Sequence, residues 1–303
     1  WEDYGLVCAL SHRAVSALLR DRRLGREAPA EFAPEIPAHL RPFYDVEAHS
    51  MLELEPPRHT RLRGLVLRAF TSRRIAAMGP EIASLCDVLI DRFPDGAAVE
   101  ATLAFRAFIE EVIAARRGRP GDDLLSALIA AEEEGQRLST DEMVTTCILL
   151  LNAGHEATVH TMGNGAKALM EHELRVVTDG TVEEILRYDP PLHMFTRWVY
   201  EDCDLFGHRF RRGDRVALLL GAANRDPTAY PDPGRFDPAR PGPANVAFGA
   251  GVHFCVGAPL ARLELLIGLR RLFERRPRLR PAEVPRYADV YHFHGLERLT
   301  VEG

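Results

Sequence analysis

FGAGVHFCVG, residues 248–257, is the stretch on which the reading of this chain turns. Cys255 stands near the end of a loop punctuated by Gly249, Gly251 and Gly257, and the loop runs straight into an apolar, arginine-rich helical pattern with Pro259 near its start. Proline costs nothing in a first helical turn, because the N–H it lacks would have no partner there. The sulfur therefore sits at a helix N-terminus, where unsatisfied N–H groups and the positive end of the dipole favour thiolate over thiol. The glycines permit backbone angles and close approaches that a side chain would block. One cysteine is too few for zinc or an iron–sulfur cluster, which take about three or four grouped ligands. A packed core cysteine in a glycine-rich turn is the plain alternative.

A single thiolate suffices for haem iron. Phe248, Gly249, Gly251, His253, Cys255 and Gly257 fit FxxGxxxCxG, and the loop resembles the haem-binding loop of the cytochrome P-450 family in its bacterial soluble form. Three further stretches carry the resemblance. In EPPRHTRLRGLVLRAF, residues 55–70, paired prolines lead into a helix with the apolar face Leu62, Leu65, Val66 and Ala69. The stretch is similar to the family's DPPEHTRLRRLV, which implies that His59 and Arg63, on one helical face, reach a haem propionate. Two exposed basic residues on an amphipathic helix would read the same way.

Residues 138–171 form the longest helical pattern, with Ser139 or Thr140 as N-cap and Asp141 and Glu142 in the first turn. From residue 144 to 154 it is apolar on nearly every side, which predicts burial all round. A polar cluster of Asn152, Gly154, His155, Glu156 and Thr158 follows, and Ala153, Gly154 and Glu156 match the family's AGxET, where a local widening of the helix opens a groove beside the haem. The resemblance makes Glu156 a proton-feeding acid and Ala153 and Leu149 pocket residues. The alcohol position holds Ala157, with Thr158 one residue late and about 100° further round. Ordered water, Thr158 or a hydroxyl on the substrate is expected to complete the relay; Glu156 and Thr158 satisfying each other is the alternative.

In TVEEILRY, residues 181–188, Glu184 and Arg187 fit the family's ExxR, which implies a buried structural ion pair, although surface pairs at this spacing are common. PPLHMFTRW follows, and the resemblance turns Leu192, His193, Met194 and Phe195 toward substrate and pairs Arg197 with a propionate. Strands are expected at residues 199–205 and 215–220, a helix at 258–274, and a hairpin at the end whose turn brings Phe293 to the substrate. Residues 21–50 read as irregular, broken by Pro29, Pro34, Pro37 and Pro42.

The chain has 303 residues, 46% of them hydrophobic, enough for a real core. A net charge of -6 argues against nucleic acid as a partner. No apolar run is long enough to cross a bilayer, and the opening WEDYGLVCAL has neither a basic start nor a cleavage signature, so no membrane association is expected. Five irregularly spaced cysteines argue against a disulfide framework and for a cytoplasmic location. Six arginines and no acid lie between residues 58 and 78, either a solvated face or a docking patch in which Arg61, Arg68, Arg73 and Arg74 would meet an acidic ferredoxin.

The family normally places three lid helices between a helix expected here at residues 81–93 and another at 105–116. In this chain Glu100 leads directly into Ala101, so those helices are expected to be missing at that point, with a shorter gap near residues 171–180. With that departure, the resemblance implies a mainly α fold with a small β region, a helical prism around haem b, as one domain over residues 1–303. It implies a monomeric monooxygenase of secondary metabolism that inserts one atom of dioxygen into a mostly apolar small organic substrate. Electrons would come from NADH or NADPH through a ferredoxin reductase and a ferredoxin. Two alternatives stay open: a peroxygenase or oxidative-rearrangement variant, suggested by Ala157, and a non-catalytic haem-thiolate sensor.

Overall fold

Helix α6, Thr140–Glu171, is the axis of the molecule. In the computed structural model, which describes residues 5–78, 80, 121, 124–131, 135–290 and 293–303, it starts with a capping box. The Ser139 hydroxyl accepts from the Glu142 N–H and the Glu142 carboxylate accepts from the Ser139 N–H, satisfying two donors that a helix start leaves open. Before it come β1 (Val7–Ala9), α1 (His12–Leu18), β2 (Leu24–Gly25), α2 (Arg41–Glu47), α3 (Arg58–Ala69), α4 (Ser72–Ala77) and α5 (Leu124–Ala130). After it come α7 (Asp179–Tyr188), β3 (Met194–Val199), β4 (Cys203–Leu205), β5 (His208–Phe210), β6 (Arg215–Leu219), α8 (Leu220–Ala223) and α9 (Ala258–Arg275). Four short strands close the chain: β7 (Arg280–Pro281), β8 (Arg286–Tyr287), β9 (Leu296–Arg298) and β10 (Val301–Glu302). The fold is mainly helical with a small β region.

Three apolar clusters divide the core. The N-terminal third of α6, Met143 to Ile148, packs with α3 and α5 through Leu62, Leu65, Val66 and Leu128. Its C-terminal third packs with α7 and α9 through Leu169, Ile185, Leu186, Leu265, Leu269 and Phe273. There Gly165 lets the helices close up, since a Cβ on it would stand 3.0 Å from Ile185 and 3.1 Å from Leu269. The third cluster is built on a four-stranded sheet of order β1-β6-β3-β2, with β1 parallel to β6 and the other pairs antiparallel. Its hydrophobic members include Val15, Leu24, Val199, Val216 and Leu218.

Several local expectations change. The run at 144–154 is buried only as far as Ile148; Leu149 and Leu150 are half-buried and residues 151–156 are exposed. That middle of α6 spans the space between two cores. The helix passes through it as continuous α-helix, with no local widening. Residues 41–47 form a helix where an irregular stretch was expected, because Pro42 falls in its first turn, where the ring is tolerated. The strand expected at 199–205 is two strands separated at 200–202, and the first reaches back to Met194, so the MFTRWV segment is itself a central strand. The hairpin at the end is present, β8 pairing antiparallel with β9. The stretches expected as helices at 81–93 and 105–116, and the junction of Glu100 with Ala101, lie outside the described residues. Near 171–180, α6 ends at Glu171 and α7 begins at Asp179 behind an N-cap at Thr178.

Candidate active site

Gly257 caps α9, which begins at Ala258 with a proline in its first turn, so Cys255 lies two residues before the helix cap. Gly249 and Gly251 hold φ of +68° and +71°, a region that favours glycine. A Cβ on Gly251 would also stand 2.5 Å from the Leu19 carbonyl oxygen. These two positions curl the loop so that the Cys255 N–H donates to the Phe248 carbonyl at 3.0 Å. Phe248 lies under the Arg262 guanidinium, 4.7 Å from it. The N–H groups at the helix start act on Cys255 in the expected direction, but burial is the larger effect. Burial pushes the Cys255 thiol up, and the N–H groups of Gly257 and Ala258 together with Arg63 and Arg262 oppose it without winning.

Basic side chains from three separate segments gather beside this loop. His59 and Arg63 project from α3, His253 from the loop and Arg197 from β3. The His59 and His253 rings lie 4.4 Å apart, and Glu55 accepts from His253 at 2.9 Å and from the Arg26 N–H at 2.7 Å. His59 is 2% exposed and, among the described residues, its Nδ1 has no hydrogen-bond partner. Burial, with His253 and Arg63 adding to it, pulls the His59 pKa down to about 4. Arg197, 3% exposed, donates to the Thr196 carbonyl, and burial, with Arg26 adding to it, brings its pKa down to about 10. Burial also lowers Arg63. An orphaned buried imidazole nitrogen and two desolvated guanidiniums around a cysteine are expensive unless an anion completes them. A macrocycle with carboxylate arms and a metal that takes sulfur has the complementary chemistry, so the residues present fit haem.

Ala153 and Gly154, in the middle of α6, face open space, and a Cβ on Gly154 would meet nothing within 4 Å. Glu156 is exposed rather than buried, and its carboxylate approaches His160 one turn on at 3.9 Å. Ala157 gives its carbonyl to the Thr161 hydroxyl at 2.6 Å. Among the described residues no hydrogen bond joins Thr158 to Glu156; the Thr158 hydroxyl is hydrogen-bonded to Glu264 of α9, a half-buried acid whose pKa burial raises. The motif around Glu156 carries no signal for Glu264, whose pairing follows only from the crossing of α6 and α9.

On β3, side chains alternate, so Phe195 and Arg197 share a face, with the guanidinium 5.8 Å over the Phe195 ring. Phe195 packs against Gly249 of the cysteine loop. His193, just before the strand, has the same parity. Leu192 bridges Phe293, so these two expected pocket residues meet, whereas Met194 pairs with Leu219 of β6. Leu149 joins the α3 cluster along with Val256, the neighbour of Cys255.

Glu184 and Arg187 form a bidentate pair at 2.7 Å for both contacts. Arg187 also donates to the carbonyls of Asn224, Pro233 and Arg235, and Glu184 accepts from the Asp237 N–H and Arg240. Of the arginines in the basic run, Arg58 is paired with Glu27 and Arg61 with Glu142, acids that the local sequence does not contain. Among the described residues, no helix is long and apolar enough to cross a membrane.

The family model described as Cytochrome P450 matches residues 172–276. The chain is 37% identical to the cytochrome P450 monooxygenase PikC of Streptomyces venezuelae, over 93% of this chain and 83% of that protein. It is 35% identical to the 6-deoxyerythronolide B hydroxylase of Saccharopolyspora erythraea, over 88% and 81%. Among solved structures, P450BioI in complex with an acyl carrier protein ligated to hexadec-9Z-enoic acid superposes with a TM-score of 0.86 at 30% identity, covering 97% of this chain and 91% of that one.

Proposed function

The chain belongs to the cytochrome P450 family and is a haem-thiolate monooxygenase, and from that premise we propose that its substrate is a mostly apolar product of secondary metabolism and its electron donor a ferredoxin. The observation that carries the site assignment is the unpartnered His59 Nδ1 beside two desolvated arginines around Cys255. Cys255 would hold the iron, with Phe248, Gly249 and Gly257 shaping the loop and His59, Arg63, Arg197 and His253 directed at the propionates. Haem b, when bound, supplies the reductive activation of dioxygen, to which the thiolate lends electron density.

The chain's own part is binding, water exclusion and proton supply. Leu149, Ala153, Leu192, Met194, Phe195 and Phe293 offer a substrate an apolar wall. With no hydroxyl at Ala157, two acids remain for protons: Glu156 on the open side and Glu264 behind Thr158. The Thr158 hydroxyl can pass a proton from the Glu264 carboxyl, which burial keeps easier to protonate, toward the chamber. Glu156, exposed and near His160, is a second acid in contact with solvent, separate from that relay.

The names of the relatives, a 6-deoxyerythronolide B hydroxylase and a polyketide-biosynthesis cytochrome P450 of Bacillus subtilis, favour substrates of comparable size and polarity. For electron supply, Arg68 and Arg73 are exposed on α3 and α4, and α4 packs against α9. Arg61 is taken by Glu142 and is withdrawn from the patch. Lid helices lacking in this chain are supported by the comparison with PikC, whose alignment runs over 346 positions, more than this chain's 303 residues.

The test is turnover of the haem-loaded chain with a bacterial ferredoxin, its reductase, NADPH and labelled dioxygen. NADPH oxidation that depends on ferredoxin and rises with an organic compound, with one labelled oxygen in the product, is the expected result. Turnover supported by hydrogen peroxide and indifferent to ferredoxin would replace this reading with a peroxygenase.

A further inference from the structure

At the edge of the chamber, four polar side chains from three segments form an array that oxygen chemistry at Cys255 does not require. Tyr287, His294 and His193 are stacked, with ring centroids 4.0 Å apart at each step and planes within 17° and 23°. Asp189, at the end of α7, is buried and clamps the stack, accepting from the Tyr287 hydroxyl and lying 3.0 Å from Nε2 of His294. Asn164 of α6 fixes the backbone beneath by donating to the carbonyls of Asp189 and His294 at 3.2 and 3.0 Å. The His294 N–H is bound to the Pro191 carbonyl at 2.7 Å. On its far side the His193 ring meets Gly221, where a Cβ would stand 3.1 Å from Cδ2.

Ligand atoms of Asp189, His193 and His294 lie within 4.8 Å of one another, but near-parallel rings 4.0 Å apart cannot both direct a lone pair at one ion. Asp189 is moreover occupied by Tyr287 and His294. The array is a hydrogen-bonding device. Among the described residues, no hydrogen bond occupies either ring nitrogen of His193. His193 keeps an exposed edge, yet desolvation by the protein packed against its faces, with His294 adding to it, brings its pKa down to about 4, so it is a neutral donor and acceptor at physiological pH. His193 shares the face of Phe195 and Arg197 and stands next to Leu192, whose partner is Phe293. The nearest side chain on that face, Phe195, is apolar.

We propose that His193, held rigid by His294, Tyr287 and Asp189, is a specificity-determining residue that binds a neutral oxygen of the substrate, a ketone, lactone carbonyl or hydroxyl. The inference rests on the monooxygenase reading and sharpens its substrate class from apolar to apolar with one placed oxygen. A pre-organised donor loses little entropy on binding, and a carbonyl that found no partner there would go unpaired.

The experiment compares cyclododecanone with cyclododecane, matched in size, by calorimetric and visible-spectral titration of the ferric haem-loaded chain. The ratio of the alkane Kd to the ketone Kd is read in the wild type, H193F and H193Q. That ratio is expected to fall about tenfold in H193F, the upper range for one neutral hydrogen bond. In H193Q, which keeps an N–H donor, it should fall less. A ratio unchanged in H193F, or a wild type that binds neither compound, overturns the proposal. The reduced protein under carbon monoxide separates the two readings. If the red-shifted Soret band of thiolate ligation is present and the ratio does not move, only the His193 assignment falls; if the wild type lacks that band, the monooxygenase reading itself fails.

Discussion

Replacing Arg187 by methionine keeps most of the side-chain volume and removes the charge. Glu184 is 4% exposed and Arg187 2% exposed, so the pair is out of water entirely. The substitution removes both 2.7 Å contacts to Glu184 and strips donors from the carbonyls of Asn224, Pro233 and Arg235. Glu184 retains Arg240 at 3.3 Å and the Asp237 N–H at 2.7 Å, which moderates but does not cancel the stranded charge. Breaking a buried pair from one side costs about 3–5 kcal/mol, and each buried carbonyl left unpaired adds about 1 kcal/mol or more. Against a total stability of about 5–15 kcal/mol, a loss of about 5 kcal/mol or more leaves little folded protein. The assay is guanidinium chloride unfolding followed by circular dichroism, for R187M, E184Q and the double variant. The double variant should lose less than the two singles summed, by about 2 kcal/mol, because removing both charges removes the conflict. A loss under about 1 kcal/mol in R187M, or losses that simply add, would refute the argument that this pair ties α7 to the segment before the cysteine loop.

Introducing a hydroxyl with A157T should lower the peroxide released per NADPH consumed with a turned-over substrate; unchanged coupling would mean that Thr158 and Glu264 already supply the proton path. Two groups of the stacked array should mark the acid limb of stability, measured by unfolding of the chain between pH 3 and 7. Burial alone would raise the Asp189 pKa, but hydrogen bonds from His294 and Tyr287 bring it below the ordinary aspartate range. Its contribution is therefore complete above the unfolded value and lost as pH falls through the lower folded one, and D189N should flatten that lowest limb. His193, also depressed, binds fewer protons folded than unfolded, so stability should climb from about pH 4 to the ordinary histidine value of about 6.5. His59, likewise brought down to about 4, adds to the same window, so H193F should reduce that slope without abolishing it, and a slope that H193F leaves unchanged would mean that the His193 ring is not desolvated.

The residues that bury against protein were legible in the sequence because their pattern has a single neighbour to answer to. Leu62, Leu65, Val66 and Ala69 keep helical spacing and are all buried on α3, and the Ser139 start of α6 obeys the rules of helix capping. Glu184 and Arg187 were legible only in combination with the cysteine loop, since their spacing alone carries almost no information. The middle of α6 was misread for a physical reason. An apolar run predicts burial all round, but Leu151 is 51% exposed, because that part of the helix lies between two cores rather than inside one.

The partners of the site residues were the hardest to foresee. Glu142 for Arg61, Glu55 for His253 and Glu264 for Thr158 lie between 81 and 198 residues away in sequence or on a crossing helix. Charge pairing of this kind follows from topology, not from local pattern, so a run of arginines without acids hides the ion pairs of Arg58 with Glu27 and Arg61 with Glu142. The same argument runs the other way for His59 and Arg197. Periodicity in their segments carries no sign of the cost, yet folding buries both with Glu55 only near them and, among the described residues, no ion pair to either, a desolvation that is costly unless an anion completes it. The array at His193 follows the same logic on a smaller scale: Asp189, Tyr287 and His294 satisfy one another and, among the described residues, leave the ring nitrogens of His193 without a hydrogen bond.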